Sequence, residues 1–331
     1  MPLVRCAANP VLSASDVPFD ASLIFNAGVC RYQGKYVMVF RNDAGFSPAG
    51  WKVGAPYTNL GIAFSDDGVR WQAEPKPWRA AEELVASSPE IQRIYDPRLT
   101  VIDGRCYLCF AVDTLHGVRG GIAVTDDFSR LEVLSLSTPD NRNMVLFPEK
   151  VGGKYFRLER PFPEYSRQYQ EKFDVWCSSS PDLRYWGDSR LVLGTESVPF
   201  CNAKIGPAAP PIKTAKGWLA AFHAVWKDPS RTLFGWETSV DPAKTWHKEY
   251  FAGLMLLDPD DPAKVIGMAK EPILRPETKY ELEGFRGSVI FPGGMILEPD
   301  GEVKIYYGGA DTVECLATAP VEELLAMIEL F

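Results

Sequence analysis

The stretches RYQGKYVMVFR (31–41), VIDGRCYLCFA (101–111), KVGGKYFRLER (150–160), KTAKGWLAAFH (213–223) and EPDGEVKIYYG (298–308) are five versions of one pattern. In each, a turn glycine (Gly34, Gly104, Gly153, Gly217 or Gly301) separates an apolar strand from a second, apolar-aromatic one. A third segment follows: GIAFSDDGVRW (61–71), GIAVTDDFSRL (121–131), VWCSSSPDLRYW (175–186), GWETSVDPAKTW (235–246) and a degraded fifth copy, CLATAPVEELL (315–325). Five units in 331 residues average about 66 residues each, enough for a three- or four-stranded sheet. Radial repetition of small antiparallel sheets leaves only short edges and encloses a central channel. The expected fold is therefore all-β, a five-bladed β-propeller forming a single domain over 1–331, and a two-domain β-sandwich is the alternative. The uneven glycine spacing puts the length variation in loops. Apolar residues at helical spacing in Val321–Phe331 add a short C-terminal helix.

Composition agrees with many short strands and turns. Gly and Pro number 27 each, alongside 9 Trp, 13 Tyr and 18 Phe. A net charge of −8 argues against a nucleic-acid surface, and no apolar run approaches the roughly 20 residues that span a bilayer. The N-terminal residues lack the apolar core of a secretory signal, and the seven cysteines are scattered. Reduced, mostly buried thiols and a cytoplasmic location are the expectation. Cys106 and Cys109 have CxxC spacing, but on a strand they point to opposite faces, so neither redox nor zinc chemistry is expected of them. His116, His223 and His247 show no zinc spacing, and neither a calcium loop nor a Gly-x-Ser-x-Gly elbow is present.

Polar residues intrude at matching, otherwise apolar places. Asn26 and Asp96 each lie eight residues before their turn glycine, and Arg41 and Arg160 each lie seven after theirs. His223 falls six after Gly217, while Arg142, Lys204 and Asp311 occupy comparable strand edges. Taken singly, Asp96 reads as a turn aspartate before Pro97, Arg142 and Lys204 as exposed cations, and His223 as a core histidine. Recurrence at one end of successive blades favours a shared site. Arg142, Arg160, Lys204 and His223 would supply three or four cationic donors suited to a phosphate-type oxyanion. No nucleotide fingerprint accompanies them. Amide and aromatic residues (Asn26, Trp51, Tyr95, Tyr280) suit a sugar.

Several stretches together resemble glycoside hydrolase family 130: Phe25-Asn26-Ala27-Gly28, Phe40-Arg41, Tyr95-Asp96-Pro97-Arg98, Asn141 to Pro148, and Leu158-Glu159-Arg160-Pro161. Lys204-Ile205-Gly206-Pro207, Phe222-His223 and Tyr306 to Asp311 continue the match in the same order. Gly287-Ser288 departs from the family pattern, which carries an Asn before Val289. The resemblance implies a five-bladed propeller and an inverting phosphorylase, a glycosyltransferase-type enzyme that cleaves β-mannosides with inorganic phosphate to give α-mannose 1-phosphate. It implies Asp96 as catalytic acid, its proton passing through the mannose 3-hydroxyl. Arg142, Arg160, Lys204 and His223 would bind phosphate, and Asn26, Arg41 and Asp311 would bind mannose. No metal or organic cofactor is expected, and a homo-oligomer is. The chain's compactness resembles the branch acting on β-1,4-linked manno-oligosaccharides and mannosyl-N-acetylglucosamine, while the choice of linkage, β-1,4 or β-1,2, and of acceptor, mannose, glucose or N-acetylglucosamine, stays open and rests on loops such as 43–58 and 163–172. A β-mannosidase of the same fold and a non-catalytic carbohydrate-binding propeller are the competing readings.

Overall fold

The structure, a computed structural model, describes residues 3–47, 52–162, 172–228 and 248–331. Trp51, His247, the segment 235–246 and all of the 163–172 loop but Lys172 lie outside these residues. Five antiparallel sheets form the five blades of a β-propeller. Their innermost strands are Leu23–Tyr32, Ile91–Ile102, Asn141–Leu146, the split pair Lys204–Pro207 and Ile212–Thr214, and Ile290–Leu297. Four of the five glycines lie in the turn between the first and second strands of their blades, and Gly217 begins the second strand immediately after that turn. Gly34 and Gly104 have φ of 83° and 78°, a region that costs a side chain energy and glycine nothing.

The strands read as continuous apolar runs because both faces of a blade are covered by its neighbours. On the strand Arg105–Thr114, Cys106, Leu108, Phe110 and Val112 pack with Val37, Val39, Leu60 and Ile62 of the first blade. Tyr107 and Cys109 pack on the other side with Met144 and Leu146 of the third. That separation puts the two cysteines of the CxxC on opposite faces, and all seven cysteines are free thiols.

Closure of the ring was not legible in the repeat. The strand Val4–Arg5 pairs with Val313–Pro320 and completes the last blade from the beginning of the chain. Arg5 locks it there, its Nε donating to Glu281 Oε1 at 2.8 Å while Tyr307 donates to the same oxygen at 2.8 Å. The expected C-terminal helix covers only Val321–Ala326. Beyond it Ile328–Leu330 forms a strand on Val265–Ala269 of the fourth blade, so the helical spacing of 321–331 overstated the helix. No helix among the described residues is long and apolar enough to cross a membrane.

Candidate active site

The innermost strands do not run straight to the end of the channel. Their pairing slips between Phe25 and Gly28 in the first blade, Tyr95 and Arg98 in the second, and Arg142 and Val145 in the third. These are β-bulges, which re-aim a side chain out of the ladder. Asn26, Asp96 and Asn143 occupy them with φ of 54°, 51° and 58°, a left-handed region that Asn and Asp adopt more readily than other side chains. The eight-residue offset of Asn26 and Asp96 is thus the position of the bulge in successive blades.

All eight residues expected at the site line one cavity: Asn26, Arg41, Asp96, Arg142, Arg160, Lys204, His223 and Asp311. Sequence reasoning did not single out Asn143, Tyr250, Arg286, Val289 or Phe291, which line it as well. A bulge asparagine was findable by its likeness to Asn26. Arg286 sits in a segment with no counterpart in other blades and gave no signal. Tyr95 stands behind the wall, its hydroxyl donating to Asp113 at 2.7 Å. Tyr280 does not line the cavity either, so of the aromatic residues expected to suit a sugar neither Tyr95 nor Tyr280 is in its wall.

One side of the cavity carries the carboxyl group of Asp96. Asp96 Oδ1 accepts from Asn26 Nδ2 at 3.1 Å and from Arg41 Nη1 at 3.2 Å. Burial raises the Asp96 pKa, but Arg41, Arg98 and Arg142 outweigh it and hold the carboxyl below its ordinary value. Behind the bulges lies Arg98, 2% exposed. Its Nη1 donates to the carbonyls of Asn26 (3.1 Å) and Pro97 (2.6 Å), and its Nε to Ala208 at 2.6 Å, where the fourth blade's inner strand is broken. This one guanidinium ties three blades together beneath Asp96. Asp311, at φ 50° in the turn before Val313, is pushed up by burial, with Arg286 and Arg41 opposing; Arg286 Nη1 lies 3.6 Å from its Oδ2.

The opposite side is cationic. Arg142 and Arg160 are direct cross-strand partners, and like charges in that relation repel. The Nε atoms of both are buried without a hydrogen-bond partner among the described residues. Burial and the neighbouring Arg142 push Arg160 down to about 9. Arg160 Nη1 lies 3.0 Å from His223 Nε2. Burial, and then Arg160 and Lys204, hold the fully buried imidazole well below its ordinary pKa. Nε2 must therefore accept from Arg160, so the ring is neutral and contributes no positive charge. This side therefore holds three cations and a neutral imidazole, the lower of the three or four cationic donors expected.

Gly206 sits directly across from His223 in the sheet, and a Cβ there would lie 2.5 Å from His223 Cε1 and 2.9 Å from Arg160 Cδ. Gly206→Ala is expected to destabilise the fold by about 1–3 kcal/mol. It should also weaken anion binding by displacing both side chains. Thermal unfolding with and without phosphate measures both effects.

Known proteins resemble the chain over nearly its whole length. A family model described as beta-1,4-mannooligosaccharide phosphorylase matches residues 8–330. The chain is 32% identical to a 1,2-beta-oligomannan phosphorylase of Thermoanaerobacter sp., covering 97% of this chain and 98% of that one. It is 30% identical to a beta-1,4-mannooligosaccharide phosphorylase of Ruminococcus albus, covering 98% and 90%. The solved structure of a beta-1,2-mannobiose phosphorylase from Listeria innocua with beta-1,2-mannobiose superimposes with a TM-score of 0.80 at 27% identity, covering 99% of each chain.

Proposed function

The chain belongs to glycoside hydrolase family 130, and from that membership we propose that it is an inverting phosphorylase of β-mannosides, with 1–331 acting as one catalytic domain. The observation that carries the reading is the Arg142–Arg160 pair, a half-buried and a buried cation that face each other directly across the strands, both with buried, unpartnered Nε groups. An anion that accepts from both relieves their repulsion and supplies the missing hydrogen bonds. Inorganic phosphate, held by Arg142, Arg160, Lys204 and the neutral His223, is that anion and the only co-substrate.

Asn26, Arg41 and Asp311 hold the mannose between this cradle and Asp96. A phosphate oxygen attacks the anomeric carbon as its bond to the glycosidic oxygen breaks, with inversion to α-mannose 1-phosphate. Asp96 supplies the proton for the leaving oxygen through the mannose 3-hydroxyl. Holding both reactants in line supplies much of the acceleration. An inverting hydrolase needs a second carboxylate to activate water. Among the described residues the other carboxylate lining the cavity is Asp311, which faces Arg286 and Arg41 rather than the cation pair.

The relatives share the reaction class but not the linkage. The sequence expectation of a β-1,4 bond has support from the 30% relative, and a β-1,2 bond from the 32% relative and the solved structure. The test therefore carries β-1,2-mannobiose, β-1,4-mannobiose and mannosyl-N-acetylglucosamine, each with and without phosphate. Phosphate-dependent α-mannose 1-phosphate, seen by NMR, is expected from at least one. Free mannose at equal rates in both arms would make the protein a β-mannosidase. No cleavage in any arm, with the mannosides still bound, would favour the non-catalytic reading.

A further inference from the structure

We propose that Asp43 is a positioning residue for the reaction: it occupies the fork of the Arg41 guanidinium, so that a single N–H of Arg41 addresses Asp96. The inference rests on the mannoside reading of the cavity. Asp43 does not line the cavity and is 5% exposed. It accepts from Arg41 Nε at 2.9 Å and Nη2 at 2.6 Å, a bidentate pairing along the edge of the guanidinium. Thr58 on the neighbouring strand donates to Asp43 Oδ1 at 2.8 Å and fixes the carboxylate in turn. The planar cation lies between the rings of Phe25 and Tyr95, 4.7 and 5.1 Å from their centroids.

These contacts fix the orientation of Arg41 completely. A guanidinium has five N–H donors. Asp43 takes two and Asp96 takes one, leaving one on Nη1 and one on Nη2 for the hydroxyls of a bound sugar. Without Asp43 the same fork would be available to the next carboxylate within reach, Asp96. A bidentate pairing there would hold Asp96 as a carboxylate and take up the oxygen that must carry the proton. Asp43 thus keeps the cation that touches the acid from capturing it, and keeps two donors aimed at substrate.

The variants are Asp43→Asn, which keeps the volume but cannot accept from both donors as a carboxylate does, and Thr58→Val, which leaves the charges unchanged. Phosphorolysis is followed while mannoside and phosphate are varied separately. Asp43→Asn is expected to raise the mannoside KM by about tenfold or more and to lower kcat, while the phosphate KM stays within about twofold. Thr58→Val should move the same constants in the same direction by less. A purely structural role would lower kcat with both KM values unchanged, and that result overturns the proposal. Should Asp43→Asn fail to fold, an unchanged mannoside KM in Thr58→Val overturns it as well. A crystal structure of Asp43→Asn is the readout that does not depend on turnover. Arg41 is expected to leave its place between Phe25 and Tyr95 or to close on Asp96, and an unmoved Arg41 overturns the proposal. The wild-type product with and without phosphate tests the phosphorylase reading by itself, so either idea can fail without the other.

Discussion

Asp96→Asn is expected to lower kcat by about 10²–10⁴-fold, the range that general acid catalysis contributes. The fold should survive, because Asn adopts the left-handed bulge conformation as readily as Asp and can still accept from Asn26 and Arg41. Circular dichroism and phosphate-induced stabilisation of the variant separate lost chemistry from lost structure, and substantial residual turnover would remove Asp96 as the acid. The surroundings of Asp96 also set a pH dependence. Its pKa is depressed in the free protein by Arg41, Arg98 and Arg142 against the opposing effect of burial. An acid must hold its proton, so mannoside kcat/KM at low phosphate falls as pH rises through that depressed pKa. Phosphate bound beside Arg142 and Arg160 offsets the cations and raises Asp96. The basic limb at saturating phosphate should therefore lie at higher pH than at low phosphate. A limb that does not move with phosphate would show that the cradle and the acid are electrostatically independent.

Arg160→Met is expected to raise the phosphate KM by about 10–150-fold, the equivalent of one lost charge-assisted hydrogen bond of roughly 1.5–3 kcal/mol. The mannoside KM should change far less. Lys204→Ala should act in the same direction. What distinguishes Arg160 is its effect on stability. Its guanidinium is buried, faces Arg142 across the strands and is pushed down to about 9, so it is a source of strain in the ligand-free protein. Replacing it with an apolar side chain of similar length should leave the melting temperature without phosphate unchanged or higher. The same replacement should abolish most of the rise on adding phosphate, which at 100 times Kd is about 2.7 kcal/mol in a one-site protein. A large loss of stability without phosphate would mean that Arg160 supports the fold and does not wait for an anion.

Asn26 and Asp96 were legible at a fixed offset because a propeller blade repeats its bulge at the same distance from its turn, and the left-handed backbone restricts the residue type there. Arg41 and Arg160 were legible because second strands reach the same end of the channel. Lys204 and Asp311 share no such offset. The fourth blade's inner strand is broken before Ala208, and Asp311 lies in the following turn of the last blade. Those two were reached only as strand-edge residues, with the family resemblance giving their roles, and Arg286, in a segment without a repeat partner, was not reached at all.

The amino-acid pattern determined the number of blades and the turns between their strands, because turn glycines and apolar strands are local requirements that recur in the chain. It also marked most of the polar residues that break the apolar runs. Tertiary structure alone decided three things. Ring closure by Val4–Arg5 joins residues more than three hundred positions apart, which no local pattern encodes. The charge of His223 depends on burial and on Arg160 beside it, so a residue that looked cationic is neutral. Arg41 is likewise an ordinary strand-end arginine until Asp43, Phe25 and Tyr95 surround it. Electrostatics and hydrogen-bond geometry are set by distances between blades, and those exist only once the ring has closed.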